Sequence, residues 1–299
     1  MKQHFLAVNR ESLAKQASLL RIASVKLADS LRAGTFRSLY RGQGIEFSGV
    51  REYLRGDDVR AIDWNVTARM GKPFVKLFEE EHELQIFLVI DRSFSMFTGS
   101  GKRSRYETAA EAAALITMAA EVNASSVGAV IFDGEIRFSC SPESGRRRTM
   151  LLLTRLDETD GSESAGSVLG SALTGAGKLL KKRSLVFVLS DFRSTSWIDP
   201  LASLAQKHDV AAVRITDASD NELPEMGTVP FIDSETKTRL VLPTSLSSFR
   251  NAWRADNRQH LAGWRESCRK HGVLPLIIAT DDDPVRVLSN FFAHRGQTA

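Results

Sequence analysis

Cysteine is scarce in this chain. Cys140 and Cys268 stand far apart, in no spacing that suits a zinc site or a disulfide framework. Free thiols in a reducing compartment are the simplest reading. Long apolar runs are missing as well. None approaches the ~18 residues that a membrane-spanning helix needs. The opening MKQHFLAVNRESLAKQ lacks the apolar core and small-residue cleavage site of a signal peptide. These absences point to the cytoplasm and to a chain with no membrane span. There is no Gly-x-x-x-x-Gly-Lys loop, which excludes a P-loop ATPase. There is no Gly-x-Ser-x-Gly elbow, which argues against a serine hydrolase. The six histidines are scattered and none is placed to serve as a base. A strong charge imbalance is also absent, with a net charge of +4 and a pI near 9.1. The basic runs Arg146-Arg147-Arg148 and Lys181-Lys182-Arg183 carry no interleaved aromatics, so no nucleic-acid partner is expected.

What is present is an ordinary globular composition, long enough for one large domain or two smaller ones. The stretch that organises it is Leu84 to Met96, LQIFLVIDRSFSM. Leu84 to Ile90 is almost wholly apolar, as a strand buried on both faces of a parallel sheet must be. It stops at Asp91-Arg92-Ser93-Phe94-Ser95, which puts small oxygen-bearing side chains just past the end of a central strand. In open α/β sheets ligands bind there.

The rest of the chain falls into three parts. Residues 1–35 hold an amphipathic helix from Asn9 to Ala33, with Leu13, Ala17, Leu20, Leu27 and Leu31 on one stripe. Residues 36–83 form a small β-rich extension. There Arg51, Glu52, Arg55, Asp57, Asp58, Arg60 and Asp63 alternate with Tyr53, Leu54, Val59, Ile62 and Trp64, which predicts a folded stretch held by ion pairs. Residues 84–294 alternate strands with helices, which predicts an α/β domain with a mainly parallel sheet and helices on both faces. Its helices are expected at 104–122, 146–156, 167–180, 198–208 and 246–271. Its strands are expected at 84–90, 128–132, 136–140, 185–189, 210–215 and 273–279. A β-hairpin insertion is expected near 228–242. Asp281-Asp282-Asp283 precedes Pro284 and reads as a helix start rather than a metal cluster.

Two apolar strands, 84–90 and 185–190, each end in an aspartate. If they are neighbours, Asp91 and Asp191 face one crevice, and the helix starting near Gly166-Ser167 offers a further hydroxyl there. Asp91, Ser93, Ser95, Ser167 and Asp191 could then surround one cation. The donors are all hard oxygens, which suit Mg²⁺.

Asp91-x-Ser93-x-Ser95 resembles the metal-ion-dependent adhesion site of von Willebrand factor A domains. In that family the second element is a Thr in a pattern like Gly-Thr-x-x-x-x-Ala-Leu. Gly166-Ser167-Val168-Leu169-Gly170-Ser171-Ala172-Leu173 is similar to it, with Ser for Thr, and Ser162 and Ser164 are nearby alternatives. The third element, an Asp closing a later strand, resembles Val188-Leu189-Ser190-Asp191. The resemblance implies a von Willebrand factor A-like, Rossmann-like fold. It also implies a bound Mg²⁺, or another divalent cation such as Mn²⁺ or Ca²⁺.

A narrower resemblance covers almost the whole chain. Gly44-Ile45-Glu46-Phe47, Val50-Arg51-Glu52-Tyr53, Gly56-Asp57-Asp58-Val59-Arg60, Ile62-Asp63-Trp64, Thr67-Ala68-Arg69 and Lys76-Leu77-Phe78-Glu79-Glu80 resemble the bacterial family catalogued as domain of unknown function 58. That resemblance implies a non-catalytic adaptor beside a MoxR-type AAA+ ATPase, acting in chaperone-like assembly or activation of a protein target. The alternative is a metal-dependent, phosphatase-like hydrolase using Asp91, although the second Asp such an enzyme wants two residues on is Ser93 here. Either residues 36–83 or the metal face would dock the ATPase.

Overall fold

The computed structural model describes residues 45–80, 84–158, 167–223, 225, 227–232 and 239–295. The helix expected over 9–33, the start of the extension, Gly166 and the alternative hydroxyls Ser162 and Ser164 lie outside the described residues. The chain divides into two compact units, Arg32–Glu83 and the remainder.

The smaller unit pairs β1 (Ile45–Glu52) with β2 (Phe74–Glu80), antiparallel and with a bulge between Phe47 and Gly49. A crossover joins them through a 3-10 turn, Val59–Ala61, and a short helix α1, Trp64–Met70. Polar contacts shape this crossover. Arg51 makes a two-pronged ion pair with Asp57 at 2.7 and 2.8 Å, and Asp57 also accepts the Leu54 N–H. Asp58 caps the 3-10 turn, and Asp63 caps α1 by accepting from the Asn65 and Val66 N–H groups. Gly71 ends α1 at a positive φ of 70°, a left-handed position that glycine takes without steric cost. The expected ion-pair scaffold is therefore only part of the account, because Asp58 and Asp63 serve as caps. Neither the 3-10 turn nor α1 contains a buried residue.

The larger unit is built on a six-stranded sheet. Its strands are β3 (Gln85–Asp91), β4 (Ser126–Phe132), β5 (Ile136–Glu143), β6 (Leu185–Ser190), β7 (Asp209–Thr216) and β10 (Leu274–Ala279), in the order β10-β7-β6-β3-β4-β5. Only β5 runs antiparallel, joined to β4 by a tight turn at Asp133–Glu135. The fold-class expectation is borne out: the sheet is mainly parallel with helices on both faces. The hairpin is present as β8 (Thr228–Ile232) and β9 (Arg239–Pro243).

The reason lies in β3. Ile86, Leu88 and Ile90 enter one apolar cluster with Ala109, Ala113 and Leu115 of α2 (Arg105–Val122). Phe87 and Val89 enter the other, with Leu169, Leu173 and Ala176 of α4 (Leu169–Leu179) and Trp264 of α7 (Ser247–Lys270). The period-2 alternation of a strand thus sends apolar side chains to both faces. Alanines on α2 let it lie close against the sheet, and a capping box of Ser104 and Glu107 fixes its start. Between α2 and α4 lies α3 (Arg146–Leu156). The remaining helices are α5 (Ile198–Ala205), α6 (Ala218–Asn221) and α8 (Pro284–Arg295). Asp283 caps α8 by accepting the Val285 N–H, as the Asp-Pro reading expects.

Counted from β3 as the first strand, the sheet order is 3-2-1-4-5-6. It reverses between β3 and β6, the topological switch point where such sheets hold ligands.

The Arg51 guanidinium hydrogen bond, joined by the Leu54 N–H, holds the Asp57 carboxyl at about 2. A folded pKa below the unfolded value contributes stability that is full above about pH 4 and is lost as pH falls toward 2. We expect the Asp57 carboxyl resonance to titrate near pH 2 in the folded protein and to move up toward the ordinary carboxylate range in Arg51→Ala.

Candidate metal centre

The switch point brings two carboxylates together. β3 ends at Asp91, and its neighbour β6 ends at Ser190 with Asp191 next. Both aspartates are buried. Asp91 Oδ1 accepts the Ser93 N–H at 2.9 Å, and Oδ2 accepts the Ser190 hydroxyl at 2.6 Å. The chain then curls through a 3-10 turn, Phe94–Phe97, which brings the Ser93 and Ser95 hydroxyls to 3.2 Å. The first three expected residues are therefore one cluster.

Asp191 approaches from the β6 side. Burial first, and then the negative charge of Asp191, push the Asp91 carboxyl up to about 7, against the hydrogen bonds from Ser190 and Ser93. Asp191 Oδ1 accepts the Arg193 N–H at 3.2 Å. Asp191 Oδ2 is buried and has no hydrogen-bond partner, and Arg193 Nε lies 3.7 Å away. The Ser167 hydroxyl is likewise buried without a partner. Ser167 is placed from the β4 side, where the next residue, Val168, donates its N–H to the Asp133 carbonyl at 3.1 Å. It makes no hydrogen bond to either aspartate.

These observations test the fit of a divalent cation. A buried polar atom left unpaired costs about 1–3 kcal/mol. Here the Asp191 Oδ2 atom is orphaned close to the buried Asp91 carboxyl, and the Ser167 hydroxyl is orphaned in the loop before α4. The donors are all oxygen, which suits Mg²⁺, Mn²⁺ or Ca²⁺. Among the described residues no group of three or more His, Cys, Asp or Glu gathers, so nothing there resembles a zinc cage. The oxygens of Asp91, Ser93, Ser95 and Asp191 are of the kind that would hold such an ion, whereas no hydrogen bond among the described residues ties the Ser167 hydroxyl to them.

Sequence reasoning missed several residues that set this geometry. Ser190 bridges the strands, donating to Asp91 and accepting the Phe192 N–H at 3.0 Å. Its signal was its place beside Asp191 at the end of an apolar strand. Phe192 adopts φ 53°, a left-handed conformation costly for a bulky residue. Ring contacts with Trp197 and Trp264, at 5.2 and 5.5 Å, hold it there and turn Asp191 inward. Arg193 also pairs with Asp220, which Arg105 binds at 2.6 Å from the start of α2.

The loop following Ser95 is clamped as well. Asp217 accepts the Ser100 N–H and hydroxyl, the Ser219 N–H and hydroxyl, and the Thr280 hydroxyl. Burial raises the Asp217 carboxyl, but the Ser100, Ser219 and Thr280 hydrogen bonds outweigh it and hold the group well below the usual range. Arg103 adds bonds to the Thr280 and Asp282 carbonyls.

A scan of protein families matches residues 49–263, well over half of the chain, to the family described as "Protein of unknown function DUF58". An uncharacterized protein of Mycobacterium tuberculosis is 29% identical over 298 residues, covering 98% of this chain and 92% of that protein. An uncharacterized protein of Mycobacterium avium is 27% identical over 132 residues, covering 44% and 78%. Among solved structures, an aerotolerance-related membrane protein from Bacteroides fragilis has a TM-score of 0.49 at 14% identity, covering 72% of this chain and 100% of that one. The VWA domain of SpRpn10 has a TM-score of 0.39 at 14% identity, covering 73% and 99%. Among the described residues no helix is long and apolar enough to cross a membrane.

Two outcomes test the site. Titration with Mg²⁺, Mn²⁺ or Ca²⁺ should raise the melting temperature, by about 2.7 kcal/mol of stability at a hundredfold excess over Kd, and Asp91→Asn should remove that rise. Arg193→Ala should tighten cation binding about two- to fivefold in calorimetry, because it removes a competing charge beside Asp191. Weaker binding would mean that Arg193 positions Asp191 instead. By the match across residues 49–263, this chain belongs to the DUF58 family of proteins of unknown function.

Proposed function

We propose that this protein is a non-catalytic, divalent-cation-dependent adaptor that binds a protein target in the cytoplasm and works with a MoxR-type AAA+ ATPase. One observation carries the metal-dependent part. The Asp191 Oδ2 atom is buried without a hydrogen-bond partner close to the buried Asp91 carboxyl, and the Ser93 and Ser95 hydroxyls lie on the loop that follows Asp91. A hard cation held there keeps water in its remaining positions. A carboxylate from a protein target replaces one such water in a charge-assisted contact. The ATPase partnership rests on the family resemblance of the motifs between Gly44 and Glu80.

The hydrolase alternative has less support. A nucleophilic carboxylate must reach its substrate, whereas Asp91 is buried with one oxygen on the Ser93 N–H and the other on the Ser190 hydroxyl. No second carboxylate stands at position 93 to act as an acid.

The test is capture of a purified MoxR-type ATPase by the immobilised protein, in Mg²⁺ and in EDTA, beside a phosphatase and esterase screen. Capture in either buffer with no turnover is the expected result. Absence of capture in both would overturn the partnership, and turnover abolished by Asp91→Asn would overturn the non-catalytic reading.

A further inference from the structure

One carboxylate oxygen at the strand ends is open although a partner stands close to it. Asp191 Oδ2 is buried without a hydrogen-bond partner, and Arg193 Nε lies 3.7 Å away. Guanidinium and carboxylate make their strongest contact as a two-pronged fork at about 2.7–2.9 Å. A shift of roughly 1 Å would bring this pair into hydrogen-bond range. The Arg193 side chain is 39% exposed, against 4% for Asp191, so Arg193 is the partner able to move. Yet the gap is not closed.

What holds Arg193 back is Asp220. Its Oδ1 atom accepts from Arg193 Nη2, and from Arg105 Nη2 at 2.6 Å. Its Oδ2 atom accepts the Asp217 N–H at 2.9 Å, within the capping box of α6. Asp220 is buried, and so is Arg105, whose Nη1 also donates to the Thr98 hydroxyl at 2.6 Å. Thr98 in turn donates to the Ser95 carbonyl at 2.6 Å. A row of alternating charges therefore runs from Arg105 through Asp220 and Arg193 to Asp191, and its anchored end is the buried one. Arg214, whose charge also acts on Asp191, lies over the Trp264 ring at 5.6 Å.

The consequence is electrostatic. If Asp220 loses its charge, the carboxylate left to Arg193 among the described residues is Asp191. A close ion pair there puts on Oδ2 a charge of the same sign as a metal ion, and the two compete for the oxygen. We propose that Asp220 is a positioning residue for the cation site, holding the Arg193 guanidinium off Asp191 and so keeping Oδ2 open to a divalent cation. This rests on the divalent-cation reading above and adds how that site is kept from closing on the chain's own arginine.

The test is a double-mutant cycle read as Mg²⁺ affinity by calorimetry on the full chain, with the wild type, Asp220→Asn, Arg193→Ala and the two changes together. Asp220→Asn should weaken Mg²⁺ binding about tenfold, because Arg193 then closes on Asp191. In the Arg193→Ala background the same change should alter affinity by less than about twofold, since no guanidinium is left to close. Equal weakening in both backgrounds would make Asp220 a structural support and overturn the proposal, as would undiminished binding in Asp220→Asn. The wild type gives a second reading should Asp220→Asn fail to fold. With Mg²⁺ bound, the Arg193 Nε–Hε resonance should stay sharp and slow to exchange, because Asp220 still holds the guanidinium. Loss of that resonance on Mg²⁺ addition would overturn the proposal and leave the cation reading standing. Absence of Mg²⁺ binding by the wild type would overturn both.

Discussion

Two carboxylates cannot stay ionised in the dry edge of a sheet unless something positive or protic stands beside each oxygen. At the β3–β6 edge that condition is met for three oxygens of four. Asp91 has the Ser93 N–H and the Ser190 hydroxyl, and Asp191 has the Arg193 N–H. The fourth, Asp191 Oδ2, has only a distant guanidinium. The surrounding contacts are arranged about this shortfall. Phe192 is held in a strained conformation by two tryptophans, Arg193 is tied through Asp220 to α2, and Ser100 is fastened to Asp217. Each fixes a loop that leads away from Asp91 or Asp191.

The sheet makes such fixing possible. β3 is apolar on both faces, and packed interiors transmit small displacements instead of absorbing them. The end of β3 is thus packed on both faces, and β6 pairs with it in register from Ile86↔Leu185 to Ile90↔Leu189. Asp91 and the Ser190-Asp191 pair are placed by backbone pairing before any side chain acts. Helix ends add to this, since α2 begins at Arg105 with its cap on Ser104, and Arg105 is the residue that reaches Asp220.

Much of this was legible in the chain because it is local. An unbroken apolar run ending in Asp states both a buried strand and its exit, so β3, β6 and the Asp-x-Ser-x-Ser loop could be read from order alone. Helix bounds agreed closely at α2, which a capping box at Ser104 starts, and at α3, which has no side-chain cap, whereas α6 was not foreseen although a capping box of Asp217 and Asp220 marks it. The contacts that join distant residues could not be read: Asp91 with Ser190, Ser100 with Asp217, and Arg105 with Asp220 are each about a hundred residues apart and carry no periodicity. In the crossover the charges were rightly read as holding the chain. Of the apolar residues that alternate with them, Tyr53 and Ile62 are half-buried and Leu54, Val59 and Trp64 exposed, a division that residue order alone does not reveal.

The two units thus achieve order by different means. In the larger unit, apolar burial on both faces of β3 supplies rigidity and leaves buried oxygens of Asp91 and Asp191 at the strand ends. In the smaller unit, caps and the Arg51–Asp57 pair share this work with Val75, which is buried, and Tyr53, Ile62 and Val66, which are half-buried, while Leu54, Val59, Trp64 and Met70 are exposed.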